Sequence, residues 1–252
     1  MASTNVLITG ANSGIGFATA KVLVCSSDAF HVIIASRTLE KAKAAQAEIE
    51  TLNPKGSLST IILDVTIKES IEDAAARVKQ AYGRLDVLVN NAGVGGMSIE
   101  DVYTQFRYVL DTNVIGPAVV SAAFRPLLLE SKNPYSIYVS NGARTLVRNA
   151  LQKPAHFNRF RDGQHAYQVS KAALNMLAVL EARDYGEQGL KVFAFSPGFV
   201  KSNIRGPSEE QKNGWGGAGD PEIAGETVLD ILTGKRDKDV GKLVHKDGVY
   251  DW

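Results

Sequence analysis

Tyr167 and Lys171 stand four residues apart in Tyr167-Gln168-Val169-Ser170-Lys171. On a helix that spacing puts both side chains on one face, with Cβ atoms roughly 5–6 Å apart. A phenol alone is a poor acid–base group at neutral pH, because its reference pKa is about 10. An ammonium about 4 Å from the phenolate contributes roughly 4 kcal/mol at an effective dielectric of about 20, enough to bring the phenol towards neutrality. There it can give a proton to an oxygen that is developing negative charge. Alone, the pair is weak evidence. With 8 tyrosines in the chain and a lysine frequency of roughly 6%, about half a chance match is expected.

A second constellation is Thr9-Gly10-Ala11-Asn12-Ser13-Gly14-Ile15-Gly16, between a short apolar run and a helical pattern. Glycines let a backbone approach a phosphate closely, and the N–H groups of a helix start point at the anion. The spacing is G-x-x-x-G-x-G rather than G-x-G-x-x-G. Three glycines also suit a mere tight turn, but the strand before and the helix after favour a pyrophosphate site. Its candidate contacts are Gly10, Asn12, Ser13, Gly14, Ile15 and Gly16. Arg37 lies 21 positions after Gly16, in Ile33-Ile34-Ala35-Ser36-Arg37-Thr38. No Asp or Glu there accepts hydrogen bonds from a ribose 2′-hydroxyl. The Arg37 guanidinium suits a 2′-phosphate, so NADP(H) is expected in preference to NAD(H). The bland alternative is an arginine ending a strand with its head in water.

Such residues need a scaffold. β-rich runs fall at 6–9, 31–35, 59–63, 85–90, 136–140, 191–195 and, weakly, 242–244; most are continuous rather than alternating, as in strands buried on both faces. Helical patterns at 15–25, 39–50, 70–82, 101–129, 167–185 and 221–232 separate them. Strict alternation predicts an α/β fold: one doubly wound domain over 1–252, with a parallel sheet of about seven strands flanked by helices. Pro117 is expected to kink the long fourth helix. Two long segments, 142–166 and 201–220, follow strand carboxyl ends, where open α/β sheets bind ligands. They read equally as substrate loops or as solvated connections.

Composition bounds the rest. The chain has 252 residues, 28 Lys+Arg against 27 Asp+Glu, and a net charge of +1. That balance argues against nucleic acid as a partner. The single cysteine, Cys25, excludes an intrachain disulfide and suits a reducing compartment. No apolar run approaches the ~20 residues of a membrane span, and the first residues lack a signal-peptide pattern, so a cytoplasmic protein is expected. No serine sits in a G-x-S-x-G elbow. His31, His156, His165 and His245 form no ligand pair, so no metal is expected.

Together these residues resemble the short-chain dehydrogenase/reductase family in its form of about 250 residues. The likeness spans the whole chain, with six motifs in order. Residues 9–16 are similar to the family's T-G-x-x-x-G-I-G turn. Asp64-Val65 resembles the pair that contacts adenine, and Asn90-Asn91-Ala92-Gly93 the N-N-A-G motif that supports the sheet and the cofactor edge. Asn113 matches the catalytic asparagine, and Tyr167 with Lys171 the Y-x-x-x-K pair. Pro197-Gly198-Phe199-Val200-Lys201-Ser202 resembles P-G-x-V-x-T, with Ser202 in place of the threonine that meets the nicotinamide amide. The resemblance implies a Rossmann domain that reduces a ketone or aldehyde with NADPH. It implies Tyr167 as acid, Lys171 also holding the nicotinamide ribose, and Asn113 keeping a water in a proton relay. By residue type alone, Asn113 reads as a buried structural asparagine.

The pattern departs in two places. Past the fifth strand the family carries a catalytic serine, where this chain reads Tyr138-Val139-Ser140-Asn141-Gly142. In strict register Asn141 takes the slot and its amide N–H can donate to the carbonyl; a one-residue shift of the backbone would bring Ser140 there instead. This departure also motivates the alternative of a catalytically weak NADP(H)-binding sensor or scaffold. Secondly, Asn141 and Tyr167 are 26 positions apart, where the family commonly has about half that. The excess resembles insertions in monomeric carbonyl reductases, so a homo-oligomer or a monomer is open. The insertion's Phe157 and Phe160, with Phe199, Trp215 and Tyr103, suit an apolar ketone; its arginines and lysine suit a carboxylated one.

Overall fold

In a parallel strand successive side chains point to opposite faces, so a strand covered on both faces is apolar at every position. In the computed structural model, which describes residues 3–142, 146–151 and 165–252, the middle of β1 (Thr4–Thr9) obeys this rule. Val6 and Ile8 enter one core and Leu7 the other. Strands β2 (Phe30–Ser36), β3 (Ser57–Ile62), β4 (Val87–Asn90), β5 (Tyr135–Val139), β6 (Lys191–Phe195) and β7 (Leu243–His245) join it in one parallel sheet. The order is β3-β2-β1-β4-β5-β6-β7, with β8 (Gly248–Tyr250) antiparallel on the β7 edge. The sheet thus has eight strands rather than about seven. β8 is three residues long beyond a two-residue turn, too short to carry a periodicity.

Helices α1 (Gly14–Ser26), α2 (Leu39–Glu50) and α9 (Glu222–Leu232) cover one face through Leu23, Ile49 and Val228. Helices α3 (Lys68–Tyr82), α5 (Gly116–Leu129) and α7 (His165–Tyr185) cover the other through Ile71, Phe124 and Leu174. The sheet order reverses between β1 and β4. Connections leaving those two strands run to opposite sides and open a crevice at their carboxyl ends.

The long fourth helical pattern is α4 (Val102–Leu110), a π-helical turn at Asp111–Ile115, and α5. Pro117 has no N–H for the carbonyl of Asn113 four residues back. The ladder slips by one residue, with the Gly116 N–H donating to the Asp111 carbonyl. Where a kink is expected, the structure has this π-helical turn. One expectation is corrected here: Val102–Leu129 is, by length and hydropathy alone, long and apolar enough to cross a membrane, with a mean hydropathy of 1.3. Half of that stretch is buried inside the fold, where Val120, Phe124 and Leu128 pack in the core with residues of α3 and α7.

Two short helices were not foreseen. Helix α6 (Leu146–Leu151) lies in the 142–166 segment, most of which is outside the described residues. Helix α8 (Glu209–Lys212) lies in the 201–220 segment and starts with a reciprocal capping box between Ser208 and Gln211. That segment is pinned at its base, where the Lys201 N–H donates to the Gly219 carbonyl (3.0 Å) and the Gly219 N–H to the Phe199 carbonyl (2.9 Å).

Candidate active site

The crevice between β1 and β4 is a cavity of about 1020 Å³. Side-chain hydrogen bonds hold its two banks together. Thr9 Oγ1 accepts from the N–H groups of Asn91 and Ala92 (3.0 Å each), and Asn91 Nδ2 donates to the Thr9 carbonyl (2.8 Å). Gly10 and Gly14 have φ of +65° and +57°, conformations that side chains rarely adopt. Between them the chain turns into α1, whose N-cap residue Ser13 makes no side-chain cap and whose first turn carries no acid. The first amides of α1 are left for an anion.

At the far end, Arg37 and Lys41 bracket the start of α2, with Thr38 Oγ1 accepting from the Lys41 N–H (3.4 Å). Both line the cavity, and neither forms an ion pair among the described residues. Asp64, also lining it, has its carboxylate engaged by the Thr66 N–H and hydroxyl at 2.9 and 2.7 Å.

Helix α7 brings Tyr167 and Lys171 to the opposite end. The Lys171 ammonium is buried, donates to the Val139 carbonyl at 2.8 Å, and lies 5.6 Å from the Tyr167 ring centroid. Burial brings its pKa down to about 8. Asn113 is fully buried: its Oδ1 accepts from the Val94 N–H (2.8 Å), and its Nδ2 donates to the Val94 carbonyl (2.9 Å) and Ser170 Oγ (3.0 Å). The side chain thereby clamps the loop after β4 to α7. Ser140 lines the cavity wall, and its hydroxyl bonds to Asn175 Oδ1 and the Lys171 carbonyl of α7. Asn141, one residue on, is half-buried on the cavity wall.

A family profile described as short chain dehydrogenase matches residues 4–151. The chain belongs to the short-chain dehydrogenase/reductase family. The short-chain dehydrogenase/reductase tropE of Talaromyces stipitatus is 32% identical, over 96% of this chain and 95% of that protein. The 3-keto-steroid reductase/17-beta-hydroxysteroid dehydrogenase 7 of Rattus norvegicus is 30% identical, over 79% of this chain and 68% of its own. Among solved structures, the NADPH-bound carbonyl reductase from chicken fatty liver has a TM-score of 0.79 and 26% identity, covering 100% of both chains. Short-chain dehydrogenase/reductases are oxidoreductases that use nicotinamide cofactors.

Most of the motif residues of this short-chain dehydrogenase/reductase converge on the cavity. Gly10, Asn12, Ser13, Gly14 and Ile15 line it from β1 and α1, Val65, Ala92 and Gly93 from the loops after β3 and β4, and Pro197, Gly198, Val200 and Ser202 from the loop after β6. Three do not line it. A Cβ on Gly16 would lie 2.5 Å from Asn91 Nδ2 and 2.9 Å from the Gly10 carbonyl oxygen, so this glycine lets α1 close onto the crevice. Asn113 is the clamp just described. Asn90 is buried, donating to Ser121 Oγ at 2.9 Å. Of the aromatic set, Phe199 lines the cavity; Tyr103 and Trp215 do not, and Phe157 and Phe160 lie outside the described residues.

Sequence reasoning missed Lys41 and Arg205. Lys41 had a signal, since it follows Arg37 by four residues at the start of a helix. Arg205 had none, because its place on the wall depends on how the 201–220 segment folds back.

The Lys171 pKa gives a stability effect whose sign is fixed. In the unfolded chain this lysine titrates near 10.5, and in the folded chain near about 8. Between those values the unfolded chain holds a proton that the folded chain has released, so stability rises with pH across the window. Urea unfolding from about pH 8 to about pH 10.5 should show the native chain gaining stability relative to Lys171→Met. A constant difference between the two would disprove the depressed pKa.

Proposed function

We propose that this chain is an NADPH-dependent reductase that converts a ketone or aldehyde to the alcohol, reversibly. The observation that carries the reading is one continuous cavity with the glycine turn in its wall, Arg37 and Lys41 at one end, and Tyr167 with Lys171 at the other. The open α1 terminus fits a pyrophosphate. Two cations without an acidic partner among the described residues fit a 2′-phosphate better than a ribose hydroxyl, which would need an acceptor there. The chicken structure is of an NADPH-bound carbonyl reductase, and the rat relative is a 3-keto-steroid reductase by name; both accord with carbonyl reduction.

The cofactor, when bound, supplies the hydride. This chain's residues manage the proton and the charge on oxygen. The Tyr167 phenol gives its proton to the carbonyl oxygen as negative charge develops. The Lys171 ammonium stabilises the phenolate that remains. Within the chain it is held by the Val139 carbonyl rather than directly on the phenol, so the pair acts through space across the cavity wall. The Asn141 amide is the second donor to the carbonyl oxygen, in the manner of an oxyanion hole. Ser140 lines the cavity beside it and is the second candidate, with its hydroxyl bonded to Asn175 and the Lys171 carbonyl of α7. Asn113 is a positioning residue, keeping the β4 loop and Ser170, beside Tyr167 and Lys171, in one arrangement.

Three measurements test this. Tyr167→Phe should lower turnover on a ketone panel between about a hundredfold and ten-thousandfold, with NADPH affinity nearly unchanged; full activity would refute the assigned acid. Arg37→Asp should raise the KM for NADPH about tenfold or more while leaving that for NADH little changed, and equal NADPH kinetics would remove the cofactor preference. Asn141→Ala should lose more turnover than Ser140→Ala, and the reverse order would assign the carbonyl donor to Ser140.

A further inference from the structure

The cavity is far more cationic than the molecule. Its described ionisable lining includes Arg37, Lys41, Lys171 and Arg205 against one acid, Asp64, in a chain of net charge +1. Three of the four cations have a use under the proposed function: Arg37 and Lys41 for a 2′-phosphate, Lys171 for the phenolate. Arg205 has none.

Its setting is specific. Nε donates to the Gln211 carbonyl (2.9 Å), and Nη2 to the carbonyls of Val200 (2.8 Å) and Lys212 (2.6 Å). The guanidinium carbon lies 4.7 Å from the centroid of the Phe199 ring. Four contacts from one loop therefore fix the head group in a single pose. The two N–H groups of Nη1 make no hydrogen bond to a described residue, and no described carboxylate pairs with Arg205. Burial lowers its pKa, while attraction to Tyr167 works the other way, and both side chains line the same cavity. Neutral carbonyls engage its Nε and Nη2 donors but leave its charge uncompensated in a half-buried site, which costs free energy without an anion. Under the proposed function the cofactor's pyrophosphate has its own cradle in the first amides of α1. The missing counter-charge belongs to the other molecule in the cavity.

We propose that Arg205 anchors an acidic group of the substrate, so that the carbonyl compound taken here carries a carboxylate. This rests on the carbonyl-reductase reading and narrows it. The carbonyl oxygen meets Tyr167, and the carboxylate meets the free edge of the Arg205 guanidinium. Phe199, half-exposed beside it, offers an apolar surface to the carbon chain between the two groups.

The test compares a keto acid with its methyl ester as substrates of the full chain with NADPH. The native protein should prefer the acid in kcat/KM. In Arg205→Met, which keeps length and apolar contact with Phe199, the acid-to-ester ratio should fall about tenfold to a hundredfold. Arg205→Lys, which keeps the charge and gives up the fork to the backbone carbonyls, should retain a preference for the acid. A native protein that reduces both equally would overturn the inference and leave carbonyl reduction standing. Equal losses on both substrates in Arg205→Met would also overturn it, since a loop-holding role alone predicts that result. A raised KM for NADPH with an unchanged acid-to-ester ratio would assign the cation to a cofactor phosphate instead. Absence of NADPH oxidation with every carbonyl compound would overturn the functional reading and this inference together.

Discussion

At the point where the sheet order reverses, two neighbouring parallel strands send their chains to opposite faces, and nothing in the backbone ladder holds their ends together. The Thr9 hydroxyl and the Asn91 amide do so, closing four hydrogen bonds across the crevice. The glycine turn, the start of α1 and the loop after β4 all hang on that link. Because side chains satisfy the polar groups at the base of the crevice, the α1 amides above it remain unspent. Gly16 belongs to the same device: without a side chain it lets α1 settle against Asn91.

A second constraint governs the end of the cavity lined by Tyr167 and Lys171. Lysine is rarely fully buried unless paired, yet Lys171 is buried and held by a carbonyl oxygen rather than a carboxylate. That arrangement leaves its charge directed at Tyr167 and at whatever enters the cavity. Beside it, the buried Tyr138 is handled in the opposite way. Burial and the charge of Glu181 hold its phenol well above its ordinary pKa; it donates to that carboxylate at 2.8 Å, as Ser136 does at 2.6 Å, while Arg125 pairs with it at 3.2 Å. Tyr138 thus has a carboxylate as its charged neighbour, whereas Tyr167 has the Lys171 ammonium. The acid network lies under the sheet and locks α5 and α7 to β5, so the helix carrying Tyr167 and Lys171 is tied down on the side away from the cavity.

The same separation explains how a chain of net charge +1 presents a cationic cleft. Several acidic groups outside the cavity are spent in ion pairs, such as Asp73 with Arg77 and Glu209 with Lys212, whereas the cavity's Arg and Lys side chains form no ion pair among the described residues. Overall charge averages over the two populations and carries no information about the site.

The sequence by itself determined the parts in which consecutive residues serve one purpose. The strands and helices around Arg37 and the glycine turn were legible because burial on both faces leaves continuous apolar runs and because a phosphate-binding turn tolerates few side chains. The pairing of Tyr167 with Lys171 was legible from helical spacing. Other features depend on contacts between distant segments. The stretch Ser140-Asn141 reads either way in the sequence, and the fold puts both on the cavity wall, with the Ser140 hydroxyl bonded to Asn175 and the Lys171 carbonyl of α7. Pro117 announced a disturbance in the helix, but its form as a π-turn, next to an Asn113 that clamps Val94, came from the fold. β8 has too few residues to show a period and exists only because β7 offers it an edge. Arg205 lies in a Gly-rich segment without pattern, and its position in the cleft follows from hydrogen bonds to Val200, Gln211 and Lys212, which the folding of that segment brings together. Periodicity reports which face of an element is buried; which side chains meet across a cavity is decided by tertiary packing, because that meeting depends on backbone paths that no local spacing encodes.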